Sequence, residues 1–310
     1  MPNDEAIYEA PLIITPLSSH THTFILLHGR GSNANRFGIE FLQSTNLSSR
    51  LPTVKFIFPT ARKRRSTALN RVAINQWFDN YSLDDPEQRT DLQVEGLCQT
   101  GGFLRRLIDR EAEAFDNIDS DARYSRIILG GLSQGCAMGM FAFLAGVSHG
   151  GGKLGGFVGM SGWLPLRRQL EEFFQPLSLD DEDGSGIDEF DVFGRSSNSE
   201  SGDEHPPLEA INHIRDILDL PPLSPTSSDG KPPAGHLQSP VFLGHGSADE
   251  KISIKLGEEM ADFLAGKLQM DVTWKVYERF GHWYKTPDEI DDIVQFLQKE
   301  VGVPVSDIKG

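Results

Sequence analysis

At 310 residues and 38% hydrophobic content, the chain has the material for a sizeable core, and 29 basic against 45 acidic residues leave a formal net charge of −16. That balance excludes a general affinity for nucleic acid or anionic membrane, and no apolar run approaches the ~20 residues that span a bilayer, so no stable membrane insertion is expected. The two cysteines, Cys98 and Cys136, have no metal-ligand spacing and make no disulfide framework, which argues for a reducing compartment and against a metal site.

The N-terminal Met1-Pro2-Asn3-Asp4-Glu5 lacks the basic start and apolar run of a signal peptide, so a cytoplasmic protein is expected. Short β-rich apolar runs then follow at Phe24–Leu27, Val54–Phe58, Ile127–Leu129, Phe157–Met160, Val241–Leu243 and Val272–Val276. Between them, residues Leu92–Ile108, Cys136–Leu144, Ile254–Leu268 and Ile290–Leu297 carry apolar side chains at helical spacing. The alternation predicts an α/β protein with a mostly parallel sheet and helices on both faces. The basic run Arg62-Lys63-Arg64-Arg65 reads as a solvated loop, and Gly150 to Gly156 as a flexible connection, because it precedes a strand and lacks the strand-loop-helix order of a phosphate loop.

From about 175 to 239 the rhythm breaks. The stretch is crowded with acidic residues, serine, glycine and proline, including Asp180-Asp181-Glu182-Asp183, and such composition buries too little apolar surface to order fully. It is expected to be an insertion in one domain spanning 1–310, with a short amphipathic helix over Leu208–Leu220. At the C-terminal end Thr286 is placed to cap a helix, Pro287 to occupy its first position and Glu289 to complete a capping box.

The strongest chemical signal is Arg126 to Met138, a strand followed by Gly131-Leu132-Ser133-Gln134-Gly135 and then a helix. This is the context of a nucleophile elbow, whose two glycines remove side chains that would collide at a tight strand-to-helix turn. Ser133 is the expected nucleophile, and the backbone N–H of Gln134 an oxyanion donor. A serine hydroxyl needs a base and something to hold that base. Asp249 follows the strand-like Val241–Leu243 and His282 follows Val272–Val276, giving the order serine, aspartate, histidine of an α/β-hydrolase triad. His20, His22, His149, His205, His213 and His236 are expected to face solvent, and His245 to shape the Asp249 loop. The turn His28-Gly29-Arg30-Gly31-Ser32 is glycine-rich, and the backbone of Arg30 is the expected second oxyanion donor.

These segments, with Phe58-Pro59-Thr60-Ala61, Trp77-Phe78-Asp79, Ser161-Gly162-Trp163-Leu164-Pro165, His245-Gly246-Ser247-Ala248-Asp249 and Gly281-His282, resemble the acyl-protein thioesterase family, also called the phospholipase/carboxylesterase family, over about residues 23 to 299 without the insertion. The resemblance implies an α/β-hydrolase that uses no metal or cofactor and cleaves thioesters of acylated proteins, lysophospholipids or small carboxylic esters. It also implies that Trp77 and Trp163 sit near the substrate cleft. Arg30 stands where typical thioesterases have an apolar residue, and Trp283-Tyr284 where small polar residues are usual; Trp283 is taken as a further substrate contact, and the departures favour a carboxylesterase. The competing expectation is a catalytically silent protein of the same fold that holds a partner through its acidic insertion.

Overall fold

The computed structural model describes residues 8–116, 118–148, 152–175, 205–225 and 234–306. Its strands are β1 (Leu12–Ile14), β2 (His22–Leu27), β3 (Val54–Phe58), β4 (Lys63–Ser66), β5 (Val72–Asn75), β6 (Ile127–Leu132), β7 (Gly156–Met160), β8 (Val241–Gly246) and β9 (Val272–Tyr277). Seven of them form one sheet in the order β1-β3-β2-β6-β7-β8-β9, while β4 and β5 form a separate hairpin. Within the large sheet only β1, against β3, runs antiparallel.

Continuous apolar runs, rather than alternating ones, are what a sheet covered on both faces requires. Successive residues serve opposite faces: Phe24, Leu26, Phe56 and Phe58 join one buried cluster, and Ile25, Leu27 and Ile57 the other. Helices Ala34–Thr45 and Asp288–Phe296 cover the first face. Helices Asp91–Ala112, Gln134–Ala145, Pro206–Ile217 and Ile254–Asp262 cover the second. Every residue of Gln134–Ala145 is buried, because this helix lies between the sheet and two other helices.

Several expectations change. Lys63-Arg64-Arg65 forms strand β4, not a loop, with Arg64 paired to Ile74 and the hairpin fastened by Arg62 and Arg64 donating to Gln99 Oε1. The helix expected inside the insertion runs Pro206–Ile217 and docks through Leu208, Ala210, Ile211 and Ile214, with Arg215 donating to the Ala145 and Pro221 carbonyls. Asp180-Asp181-Glu182-Asp183, His149 and Gly150-Gly151 lie outside the described residues. The C-terminal helix forms, but without the capping box: no side chain caps it, and Glu289 turns inward, buried, to accept the Lys285 N–H at 2.8 Å. Its carboxyl packs against Gly244 of β8 and reaches the Lys285 N–H rather than that of Thr286.

Parallel strands deliver their C-terminal ends to one edge of the sheet. Leu27 of β2 is in register with Gly131 of β6, Leu132 with Met160, Met160 with Gly244, and Gly246 with Tyr277. The loops after β2, β6, β8 and β9 therefore open on the same side, and they carry His28–Ser32, Ser133, Asp249 and His282.

Candidate active site

Ser133 lies between β6 and the helix Gln134–Ala145 with φ 57° and ψ −124°. That conformation costs a residue with a side chain about 1–3 kcal/mol, so the surroundings must enforce it. The Ser133 N–H donates to the Met160 carbonyl at 2.9 Å, and its own carbonyl accepts from Ala137 at 3.1 Å. A Cβ on Gly131 would lie 2.5 Å from the Gly135 carbonyl carbon, and one on Gly135 2.2 Å from the Leu27 carbonyl oxygen. Strand and helix meet here backbone to backbone, which only glycine at both positions permits.

The turn after β2 is held by His28, which is completely buried. Its Nε2 accepts the Ala61 N–H at 3.0 Å, so the proton resides on Nδ1, 2.7 Å from the Gly29 carbonyl. Burial pushes this imidazole down to about 4, which keeps it neutral at physiological pH. Gly31 N–H donates to the Asn75 carbonyl and the Asn75 amide to that of Ser32, fastening the turn to the β4–β5 hairpin. A Cβ on Gly29 would lie 3.4 Å from that of Ser133, so turn and elbow are in contact. Arg30 N–H has no acceptor among the described residues, and Gln134 N–H, in the first helical position, has none within its helix. Two unspent backbone donors thus flank the serine.

Between turn and elbow lies a strut that sequence reasoning met only as part of a resemblance. The Gln134 side chain accepts Trp77 N–H at 3.0 Å and donates to the Phe78 carbonyl and Asn80 Oδ1, while Trp77 Nε1 donates to the His28 carbonyl at 2.8 Å. Trp77, expected at the cleft, is instead fully buried behind it, its ring 4.9 Å from that of His28. Its one polar atom is committed to the backbone of the oxyanion turn, which holds the ring in the core.

On the other side of the site, His282 Nδ1 stands 2.7 Å from Asp249 Oδ2, and Asp249 Oδ1 accepts the N–H groups of Lys251 and Ile252, each at 2.9 Å. His245 is buried beneath, its Nε2 3.3 Å from Asp249 Oδ2 and 2.9 Å from the Ile252 carbonyl. Burial alone would raise the Asp249 pKa, but hydrogen bonds from His245, His282 and Ile252 more than offset it and hold the carboxyl below the ordinary carboxylate range. The carboxylate is therefore a fixed anion with its full set of donors.

Ser133, 8% exposed, and His282 line one cavity of about 420 Å³, with Arg30, Gln134, Trp163 and Trp283 also on its wall. The His282 ring is hydrogen-bonded to Asp249; among the described residues no hydrogen bond joins it to the Ser133 hydroxyl. Trp163 is almost wholly buried, edge-on to Phe78, whereas Trp283 is 37% exposed at the rim. Of the histidines expected in solvent, His22 and His236 are buried, His236 Nε2 lying 2.8 Å from the Leu144 carbonyl at the end of the elbow helix. Among the described residues no cluster of histidine, cysteine, aspartate and glutamate is arranged to hold a metal ion.

Residues 8–178 match the family model for phospholipase/carboxylesterase. Acyl-protein thioesterase 1 of Gibberella zeae is 26% identical over 294 residues, covering 94% of this chain and 96% of that protein. Its counterpart from Schizosaccharomyces pombe is 36% identical over 155 residues, 50% of this chain and 62% of the relative. Among solved structures, Zea mays acyl-protein thioesterase 2 superposes with a TM-score of 0.61 at 21% identity, covering 95% of this chain and 100% of that one. The carboxylesterase of Bacillus cereus does so with a TM-score of 0.52 at 14% identity, covering 95% of each.

Proposed function

Since the chain belongs to the phospholipase/carboxylesterase family, a group of α/β-hydrolases, we propose that it is a serine hydrolase cleaving carboxylic esters or thioesters through an acyl-enzyme, with Ser133 as nucleophile, His282 as base and Asp249 as the acid that orients it. The observation that carries this reading is the strained Ser133, sharing a cavity wall with an imidazole whose far nitrogen is hydrogen-bonded to a buried carboxylate.

Ser133 Oγ attacks the acyl carbon and its proton passes to His282 Nε2. The carbonyl electron pair moves onto oxygen, where the N–H groups of Arg30 and Gln134 stabilise it. Collapse breaks the C–O or C–S bond, and His282 returns the proton to the departing alkoxide or thiolate. Water then attacks the acyl-enzyme with His282 again as base, releasing the carboxylic acid and restoring Ser133. Trp163 and Trp283 contact the acyl or leaving group. The substrate is a small ester or an acylated protein, and the carboxylesterase branch is preferred because Arg30 and the Trp283 rim differ from an apolar acyl groove.

In the same proposal residues 1–310 form one domain with an insertion at about 175–239. A cytoplasmic location rests on the two free cysteines, Cys98 and Cys136; no helix among the described residues is long and apolar enough to cross a membrane.

A fluorophosphonate probe provides the test. Wild-type protein is expected to be labelled at Ser133 and to hydrolyse short esters, and Ser133→Ala to lose both while keeping its circular dichroism spectrum and melting temperature. Retained turnover in Ser133→Ala, or an unlabelled wild type, refutes the assignment, and the latter returns the non-catalytic reading.

A further inference from the structure

The chain carries a net charge of −16, yet the cavity wall beside Ser133 has the opposite balance. Arg30, Arg36 and Lys251 line it, against the single carboxylate of Glu40. Of the three cations Arg30 is the least solvated, since Arg36 and Lys251 are exposed while Arg30 is partly buried and its Nη1 is buried with no hydrogen-bond partner. No carboxylate lies within ion-pair distance of it among the described residues. Asp79, whose charge acts on it, is already spent: Oδ1 accepts from Thr67 N, Gln76 Nε2 and Asn80 N, and Oδ2 from Thr67 Oγ1. A guanidinium held half out of water with no carboxylate in direct contact is costly, and a bound anion relieves that cost. The position is constrained too, because Arg30 follows Gly29, which packs against Ser133, and precedes Gly31, whose N–H is tied to Asn75. The Arg30 backbone is thereby fixed beside the reacting serine, and Arg30 shares the cavity wall with it.

Resting on the serine-hydrolase reading, we propose that this site selects esters or thioesters bearing a carboxylate or phosphate within a few bonds of the scissile carbonyl, and that Arg30 is the specificity-determining residue that pairs with that anion. A planar guanidinium suits either group, since both accept two parallel N–H bonds. Arg36 and Lys251, exposed on the same cavity wall, favour entry of an anion.

The test compares kcat/KM on pairs matched in shape and differing in charge: monoethyl succinate against ethyl butyrate for a carboxylate, and butyryl glycerol phosphate against monobutyrin for a phosphate. Wild-type protein is expected to prefer the anionic member of at least one pair, and which pair identifies the group. The preference is expected to weaken at high salt. In Arg30→Met the ratio of anionic to neutral kcat/KM is expected to fall by about 10- to 100-fold, the value of a hydrogen bond to a charged group, with Arg30→Lys keeping part of it. An unchanged ratio in Arg30→Met, or a wild type that hydrolyses neutral esters without preferring anionic ones, overturns the inference while the serine-hydrolase reading stands. A wild type that hydrolyses neither and is not labelled by fluorophosphonate overturns both. If Arg30→Met does not fold, competition on wild type decides: succinamate or glycerol phosphate is expected to inhibit at tenfold lower concentration than the uncharged butyramide or glycerol, and equal inhibition overturns the proposal.

Discussion

Asp249→Asn tests the proposed relay most sharply, because the surroundings dictate how the amide must sit. The N–H groups of Lys251 and Ile252 both point at Oδ1, so the asparagine carbonyl is compelled to take that position and its NH2 to face His282 Nδ1. His282 must then accept at Nδ1 and carry its proton on Nε2, the nitrogen that has to receive the Ser133 proton. The negative charge that stabilises the imidazolium is lost in the same change. A wrong tautomer of this kind lowers kcat by about 10⁴ in a comparable triad, and a fall of about 10³–10⁴ is expected here. Stability is expected to drop by about 1–3 kcal/mol, from exchanging charge-assisted bonds to His245 and His282 for weaker ones. Steady-state hydrolysis of a short ester, with urea titration of the same preparation, measures both. Turnover within tenfold of wild type, in a folded protein, would refute the assignment of Asp249 as the orienting acid.

Glu289 and the buried histidines predict opposite slopes of stability with pH. Burial pushes the Glu289 carboxyl up to about 8 from an ordinary value near 4.5, so the folded state holds the extra proton and stability declines as pH rises between those values. Glu289→Gln is therefore expected to flatten that decline, seen as a smaller change in urea midpoint between pH 5 and pH 9 than in wild type; an equal change in both proteins counts against it. His22, His28 and His236 are each pushed down to about 4, chiefly by burial, so the unfolded state binds protons first and stability is expected to fall as pH drops from about 6.5 to 4. Melting temperatures that stay level over that interval would contradict this. Gly135→Ala is expected to cost about 3 kcal/mol or more, since its Cβ would meet the Leu27 backbone oxygen, which cannot give way without moving β2; a melting temperature within a few degrees of wild type would show that the crossing is looser.

Composition and periodicity were enough to foresee the parallel sheet. Each strand foreseen from an apolar run forms; β2, β3, β6, β7 and β8 do so because strands buried on both faces must be apolar throughout, whereas β9 is a partly exposed edge strand. The short β1 and the basic β4–β5 hairpin were not foreseen. The first has only three residues, and the second is a strand by virtue of its partner rather than of its own lysine and arginine content.

The elbow was legible for a different reason: the two glycines around Ser133 are demanded by a backbone collision, so the constraint is written into residue type. Loop order likewise pointed to Asp249 and His282, since the C-terminal ends of parallel strands share an edge. Residue type did not tell on which side of the wall a side chain stands. Trp77 reads as a cleft residue and is a strut, because its indole nitrogen is claimed by a carbonyl on a turn 49 residues earlier in the chain. His22 and His236 read as surface residues and are buried, and Glu289 reads as a cap and is a core carboxyl. What residue types and their spacing determined was the set of backbone constraints: apolar faces, glycine crossings and strand-end loops. What the tertiary structure alone decided was which polar groups find partners and which, like the Arg30 guanidinium, are left without one, since hydrogen bonding between distant segments depends on distances that no local pattern encodes.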